Sequence, residues 1–455
     1  MKRSHFLKLT TAAAAGGLVL PQFGCSTRKS TAIASETRAA RTNWAGNYVY
    51  RADTLGTPAT VADLQALLRD GGRKKALGSR HCFNDIADSP DVQISTRGLD
   101  QVIELDEVES LLTVGAGARY GDFSVMLHER GFAVHNLASL PHITVAGACA
   151  TGTHGSGVTN GNLATSVLSL ELVKPDGTLV RLDRDHPNFP AVAVGLGAFG
   201  IITSLTLELQ PTFDVRQDIY LDLPNARLDA DFDAIMSSGY SVSLFTDYRG
   251  DTISEVWVKR RTDEEADDLP AEWYGARAAT EEMHPIAGLD PVNTTAQLGV
   301  PGPWYDRLPH FRMGFTPSAG KELQSEFFVA RTDAVAALRA LRGLSERIAP
   351  LLLVSEVRTI KADEFWMSPA YQRDSVALHF TWKQDEEAVR ALLPAIESAL
   401  APFDVRPHWG KVFTVEADTL RQRYPKFDDF VALARRYDPA GAFRNDYLDR
   451  TVYGV

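Results

Sequence analysis

The sequence predicts an α+β fold in two domains behind an N-terminal leader. Three observations carry that reading. A chain of 455 residues with 44% hydrophobic side chains holds enough apolar material for two or three cores. Strand-like and helix-like periodicities are interspersed, with no coiled-coil heptads and no visible internal repeat. After Pro211 the segments lengthen and carry more charge and aromatics. The expected boundaries are a signal peptide at 1–25, a linker at 26–41, a first domain at 42–210, a second at 211–406, and a segment at 407–455 too short to stand alone. Forty-seven Lys and Arg against 58 Asp and Glu give a net charge of −11, which argues against nucleic acid as a partner. Three cysteines, Cys25, Cys82 and Cys149, are too few for a disulfide scaffold and lack the spacing of a zinc site, so no metal is expected.

The first eight residues are basic and lead into an apolar run, Leu9 to Leu20, too short to span a bilayer. That pattern predicts a signal peptide and an exported protein, periplasmic or held at a membrane as a lipoprotein; the alternative is a cytoplasmic protein with a disordered extension. Ser4 stands where a twin-arginine signal has its second arginine, which leaves the export route open. Gly24-Cys25 closes the run like a lipoprotein cleavage site and makes Cys25 a candidate lipid anchor. No transmembrane segment is expected. Ser26 to Arg41 is a polar linker.

In the first domain Val61, Leu64, Leu67 and Leu68 fall at helical spacing behind Thr60, a suitable N-cap, and Gly71-Gly72 ends the helix. Strands follow at 75–78, 92–96, 101–105 and 111–114, then a helix near 120–130. A glycine-rich stretch from Gly147 to Gly161 precedes strands at 167–173, 179–182 and 201–209, the first two joined by a turn at 174–178. The second domain has strands near Leu244, Val256 and Phe327 and over 352–359 and 376–382, with helices near 335–348 and 386–400. The charged stretch from Arg261 to Pro270 is a solvated loop.

Two glycine-rich loops, Gly78-Ser-Arg-His and Thr151-Gly-Thr-His-Gly-Ser-Gly, are the first chemical signal, because glycine lets backbone N–H groups approach phosphate oxygens. Neither matches a dinucleotide fingerprint or a Walker loop. Alone, they fit tight turns as well as a phosphate-bearing ligand.

Three motifs in order narrow the choice: Gly78-Ser-Arg-His81-Cys-Phe-Asn-Asp; Asn136-Leu-Ala-Ser-Leu-Pro-His-Ile-Thr-Val-Ala-Gly-Ala-Cys-Ala-Thr-Gly-Thr-His-Gly-Ser-Gly; and Pro407-His-Trp-Gly-Lys. Together they resemble the FAD-linked oxidases of the vanillyl-alcohol oxidase type. Within that group they are most similar to the alditol (xylitol) oxidases, with the aldonolactone oxidases as cousins, and the likeness runs from Asn43 to the C-terminus. The resemblance implies an FAD-binding domain of the vanillyl-alcohol oxidase / para-cresol methylhydroxylase type, an α+β substrate (cap) domain, and a C-terminal segment that completes the FAD domain. It implies FAD linked covalently through His81, with Arg80 and Cys82 departing from the residues usual there. A single link is expected, since the segment 139–144 has no cysteine. By the same resemblance the cofactor contacts are Ala76, Leu77, Gly78, Ser79, Arg80, His81, Cys82, Ser139, Thr144, Gly147, Thr151, Gly152, Thr153 and His154, with Ile202 toward the adenine and His408 from the C-terminal segment. Ala138 matches a position that can gate oxygen in relatives.

On the substrate side, Glu356 and Arg358 are two apart in an apolar strand, as are His379 and Thr381 in another, so each pair shares one face. Such a face suits a hydroxyl-rich ligand, whose polar groups each need a partner once buried. It equally suits a solvent-facing ion pair. The resemblance assigns Glu356, Arg358, His379, Thr381, Ser139 and Lys411 to polyol contacts. It implies hydride transfer from the terminal carbinol of an alditol to the flavin, with dioxygen reduced to hydrogen peroxide. Lys411 and Arg358 would then stabilise a developing alkoxide, and His379, aided by Lys411, would accept the hydroxyl proton. Oxidation of an aldonolactone is the other enzymatic reading, and a non-catalytic exported sugar-binding protein is the third.

Overall fold

Apolar and polar side chains alternate along the strands Glu322–Ala330, Leu352–Ile360 and Ser375–Lys383, and that alternation sets the architecture of the second half. One face presents Leu323, Phe327, Val357, Leu378, Phe380 and Trp382 to a core that also takes Leu338 and Leu341 of helix Ala334–Arg342 and Leu393 and Ile396 of helix Glu386–Leu400. The other face carries Gln324, Glu326, Glu356, Arg358, His379 and Thr381, because successive residues of a strand point to opposite sides. The computed structural model describes residues 41–264, 269–314 and 321–455. The expected signal peptide with Cys25, the linker up to residue 40, and positions 265–268 of the charged stretch lie outside the described residues.

These strands belong to a ten-stranded sheet whose central order is Asp214–Pro224, Thr252–Arg261, Ser241–Thr246, Leu352–Ile360, Ser375–Lys383, Glu322–Ala330, with antiparallel neighbours throughout. The order exposes an internal repeat that the residue pattern hides. Asp214–Pro224, helix Asn225–Met236, Ser241–Thr246 and Thr252–Arg261 form a strand–helix–strand–strand unit; Glu322–Ala330, helix Ala334–Arg342, Leu352–Ile360 and Ser375–Lys383 form another. The units meet where Ser241–Thr246 pairs with Leu352–Ile360. What repeats is topology, so sequence periodicity has nothing to detect. Asp214–Pro224 and Asn225–Met236 were also missing from the sequence reading. Arg261, read as the start of a loop, is the last residue of its strand.

In the first half, a parallel three-stranded sheet runs Thr54–Gly56, Val92–Ser95, Lys74–Leu77. Its helix Val61–Arg69 starts at Thr60 as expected, and the Asp63 carboxylate completes a capping box. A five-stranded antiparallel sheet runs Val102–Asp106, Leu111–Gly115, Ile201–Glu208, Val167–Val173, Leu179–Asp183. The glycine-rich stretch overlaps a short helix, Val145–Ala150, where the small side chains of Ala146 and Ala148 are buried. The helix expected over 335–348 breaks at Gly343 into Ala334–Arg342 and Ser345–Ile348. Among the described residues no helix is long and apolar enough to cross a membrane.

The C-terminal residues Leu420, Tyr424, Phe427, Phe430, Leu448 and Val452 share one core with Leu112, Val114, Leu170 and Phe199 of the five-stranded sheet region. Lys75, buried at the end of the parallel sheet, donates from Nζ to the carbonyls of Leu196, Gly197 and Phe443 and so ties that tail to the first half. Phe430 is fully buried with its ring edge-on to Phe199 at 5.0 Å. Phe430→Ala should therefore cost about 3–5 kcal/mol in denaturant unfolding. A loss under about 1 kcal/mol would show that the tail does not complete this core.

Candidate active site

Register brings the polar faces together. Glu326 lies opposite His379, His379 opposite Glu356, and Glu356 opposite Phe245, so four adjacent strands place one residue each in a single row. In the flanking rows Gln324 faces Thr381, and Ala377 faces Arg358. Glu326 is 1% exposed and is the hub. Its Oε1 accepts from Arg358 Nη2 at 2.8 Å and lies 3.4 Å from His154 Nε2, while its Oε2 accepts from Lys411 Nζ at 2.8 Å.

Lys411 reaches the row because strand Arg406–Pro407 pairs with the edge of Glu322–Ala330, and the His408 N–H then donates to the Glu326 carbonyl at 2.9 Å. Lys411 Nζ also donates to His379 Nδ1 at 2.7 Å, so His379 keeps its hydrogen on Nε2, which faces Thr381 Oγ1 at 3.0 Å. Arg358 Nη1 donates to Ser139 Oγ at 3.3 Å and joins the two halves of the chain.

The charges balance. Burial opposes ionisation of Glu326, yet Lys411, His154 and Arg358 hold its carboxyl well below the usual range. Burial also opposes ionisation of Glu356, but Arg358 and His310 keep it low. Burial and the nearby Lys411 push His379 and His408 well below the usual imidazole value, and burial lowers His154 as well. Two carboxylates thus face two cations, Lys411 and Arg358, among neutral imidazoles. Burial also lowers Lys411, against the opposing pull of Glu326.

The same cavity continues along Ala76–Cys82, Thr144, Gly147, Thr151, Thr153, Leu196 and Ile202. Gly78 and Gly147 both close on Thr144, whose hydroxyl a Cβ at either position would strike. Arg80 turns the first loop with φ 65°. Behind it Trp44 stacks on His81 with ring centroids 5.0 Å apart. His81 Nδ1 lies 3.3 Å from the Ser79 carbonyl, and burial lowers its pKa to about 4. Nε2 is buried without a protein partner and is unprotonated when Nδ1–H faces Ser79. A glycine cradle ending at an orphaned, neutral imidazole nitrogen fits FAD. Cys82 and Cys149 are free cysteines whose thiols burial pushes up to about 12, so neither is a reactive thiolate.

All the site residues expected from sequence line this cavity except Gly152, which turns the chain out of the short helix at φ +69° behind the wall. Residues 52–183 match the FAD binding domain family, and residues 319–451 match the family described as D-arabinono-1,4-lactone oxidase. Over 410 residues the chain is 48% identical to an alditol oxidase from Streptomyces sp. (strain IKD472 / FERM P-14339), covering 90% of this chain and 97% of that one. The chain belongs to the alditol oxidase family of FAD-linked oxidoreductases. This family member is also 29% identical to an L-gulono-1,4-lactone dehydrogenase from Mycobacterium tuberculosis, over 90% and 98% of the two chains. Its fold matches a cholesterol oxidase from B. sterolicum with TM-score 0.74 at 16% identity, over 92% and 97% of the chains. The expected fold, of the vanillyl-alcohol oxidase / para-cresol methylhydroxylase type, is the one found. The enzyme is an FAD-dependent oxidoreductase acting on CH–OH donors.

Sequence reasoning missed Glu326, His310 and Trp44. Glu322, Gln324 and Glu326 alternate along one face of a strand, the same signal that singled out Glu356 and Arg358, and that alternation marks Glu326. Glu326→Gln leaves Lys411 and Arg358 without their shared anion. It should cost about 3–5 kcal/mol in unfolding and move the alkaline limb of the pH–rate profile to lower pH, because Lys411 loses the charge that favours its proton. Unchanged stability and an unmoved limb would remove Glu326 from this role.

Proposed function

We propose that this enzyme oxidises the terminal primary hydroxyl of an alditol such as xylitol or sorbitol to the aldose, with dioxygen reduced to hydrogen peroxide: RCH₂OH + O₂ → RCHO + H₂O₂. The carrying observation is the charge-balanced row of Glu326, His379 and Glu356 with Lys411 and Arg358. It offers donors and acceptors to hydroxyl groups without an unpaired charge that would demand an ionic substrate. The likeness to an alditol oxidase supports the same substrate class.

Bound FAD supplies the two-electron acceptor for the hydride and the route of those electrons to dioxygen. The residues do the rest. Lys411 and Arg358 flank Glu326 and stabilise negative charge growing on the substrate oxygen. His379 holds hydrogen on Nε2, so a hydroxyl proton can reach it only at Nδ1, where the Lys411 hydrogen bond must give way to free the lone pair. Ser139, Thr381 and Glu356 orient the remaining hydroxyls. His81 carries FAD through one covalent bond, a role supported by its orphaned, neutral Nε2. Ala138 lies in the cavity wall, where its size would bear on access of dioxygen. The leader 1–25 directs export, with Cys25 a candidate lipid site; cell fractionation and the mass of the mature N-terminus test both.

Peroxide release under air from a panel of alditols and aldonolactones tests the substrate class. Alditols should react faster, and a profile led by lactones would overturn the reading in favour of an aldonolactone oxidase. In the same preparation acid precipitation should leave the protein yellow, and His81→Ala should release the colour to the supernatant. Colour released from the wild-type protein would contradict the covalent link.

A further inference from the structure

Beneath the catalytic row lies a second layer that the reaction as described does not use. Lys259, 1% exposed on strand Thr252–Arg261, spends its ammonium on three acceptors: the carbonyls of Leu308 at 2.6 Å and Pro309 at 3.0 Å, and His310 Nδ1 at 3.2 Å. Burial pulls Lys259 down to about 7; in its protonated form it can only donate, so His310 Nδ1 accepts and the ring hydrogen sits on Nε2. That nitrogen lies 2.8 Å from Glu356 Oε1. Trp257 and Phe245 pack against the His310 ring, with centroids at 5.1 and 5.5 Å, and the His310 backbone N–H donates to the Ser139 carbonyl at 3.1 Å. The ring is fixed on every side the geometry records. Glu356 Oε1 is also 3.6 Å from Arg358 Nε, whereas Oε2 takes no hydrogen bond from a described residue, and Glu356 lines the cavity.

We propose that Lys259 and His310 are positioning residues, Lys259 setting the His310 tautomer and His310 anchoring Glu356 Oε1, so that Oε2 is presented as an acceptor to a substrate hydroxyl. The alternative tautomer, with hydrogen on Nδ1, would turn a lone pair toward the carboxylate and release it. Lys259 therefore acts on the substrate through two intermediaries and touches neither substrate nor cofactor. This rests on the polyol reading above, since it gives Glu356 a hydroxyl to hold.

Holoenzyme variants Lys259→Met, His310→Gln and the double substitution, assayed with xylitol, test the relay. Losing a hydrogen bond to the buried carboxylate should raise KM about tenfold or more in Lys259→Met, with kcat within about twofold. His310→Gln keeps an N–H for Glu356 that needs no lysine, so adding Lys259→Met to it should change KM little. Additive effects would show that Lys259 acts through general packing and would overturn the relay. Nitrogen-15 NMR of the wild-type enzyme, selectively labelled at histidine, reads the tautomer without turnover: the relay requires His310 to carry hydrogen on Nε2, and hydrogen on Nδ1 would overturn it. If the wild-type enzyme turns over no alditol, the proposed function fails, and the tautomer alone decides the relay.

Discussion

Glu326 is a carboxylate shut away from water, and a buried charge is tolerated only when partners replace its hydration. Those partners come from distant parts of the chain: Arg358 from strand Leu352–Ile360, across Ser375–Lys383 in the sheet, Lys411 from the C-terminal segment, and His154 from the glycine-rich stretch. Satisfying one oxygen pair therefore requires the ten-stranded sheet, the tail and the cofactor cradle to meet at a single point. The ion cluster adds little net stability by itself, because desolvation offsets most of the Coulomb attraction. Its consequence is convergence, since the fold that satisfies Glu326 is also the fold that faces Lys411 and His379 toward the cavity.

The same burial determines the protonation states on which the chemistry depends. Lys411 and low solvent access keep His379 neutral, as a proton acceptor must be, and burial keeps His81 neutral with a free nitrogen lone pair. Burial lowers Lys411, and Glu326 opposes that desolvation and favours its cation. Removing Glu326 would leave two buried cations without their shared anion. Paired charges of this kind suit a hydroxyl-rich, uncharged ligand.

Much of this was legible in the sequence because local signals sufficed. Thr60 marked a helix start, period-two alternation placed Glu356 with Arg358 and His379 with Thr381, and the glycine loops marked the cradle once the three ordered motifs were read together. What stayed hidden depends on non-local register. Nothing near Glu326 in sequence says that His379 will lie opposite it, and the charge on Glu326 looked like ordinary strand polarity. His310 sits outside regular structure and acquires meaning only when Lys259, some fifty residues earlier, reaches it through the core. The repeated strand–helix–strand–strand unit was invisible because topology, not residue pattern, is what recurs.

The role proposed for the Lys411 cation beside Glu326 is to stabilise the charge that develops on the substrate oxygen. Anaerobic rapid mixing of wild type and Lys411→Met with xylitol, following loss of flavin absorbance, tests it directly. The variant should retain wild-type FAD content and reduce about 10²–10³-fold more slowly; reduction at the wild-type rate would contradict that role.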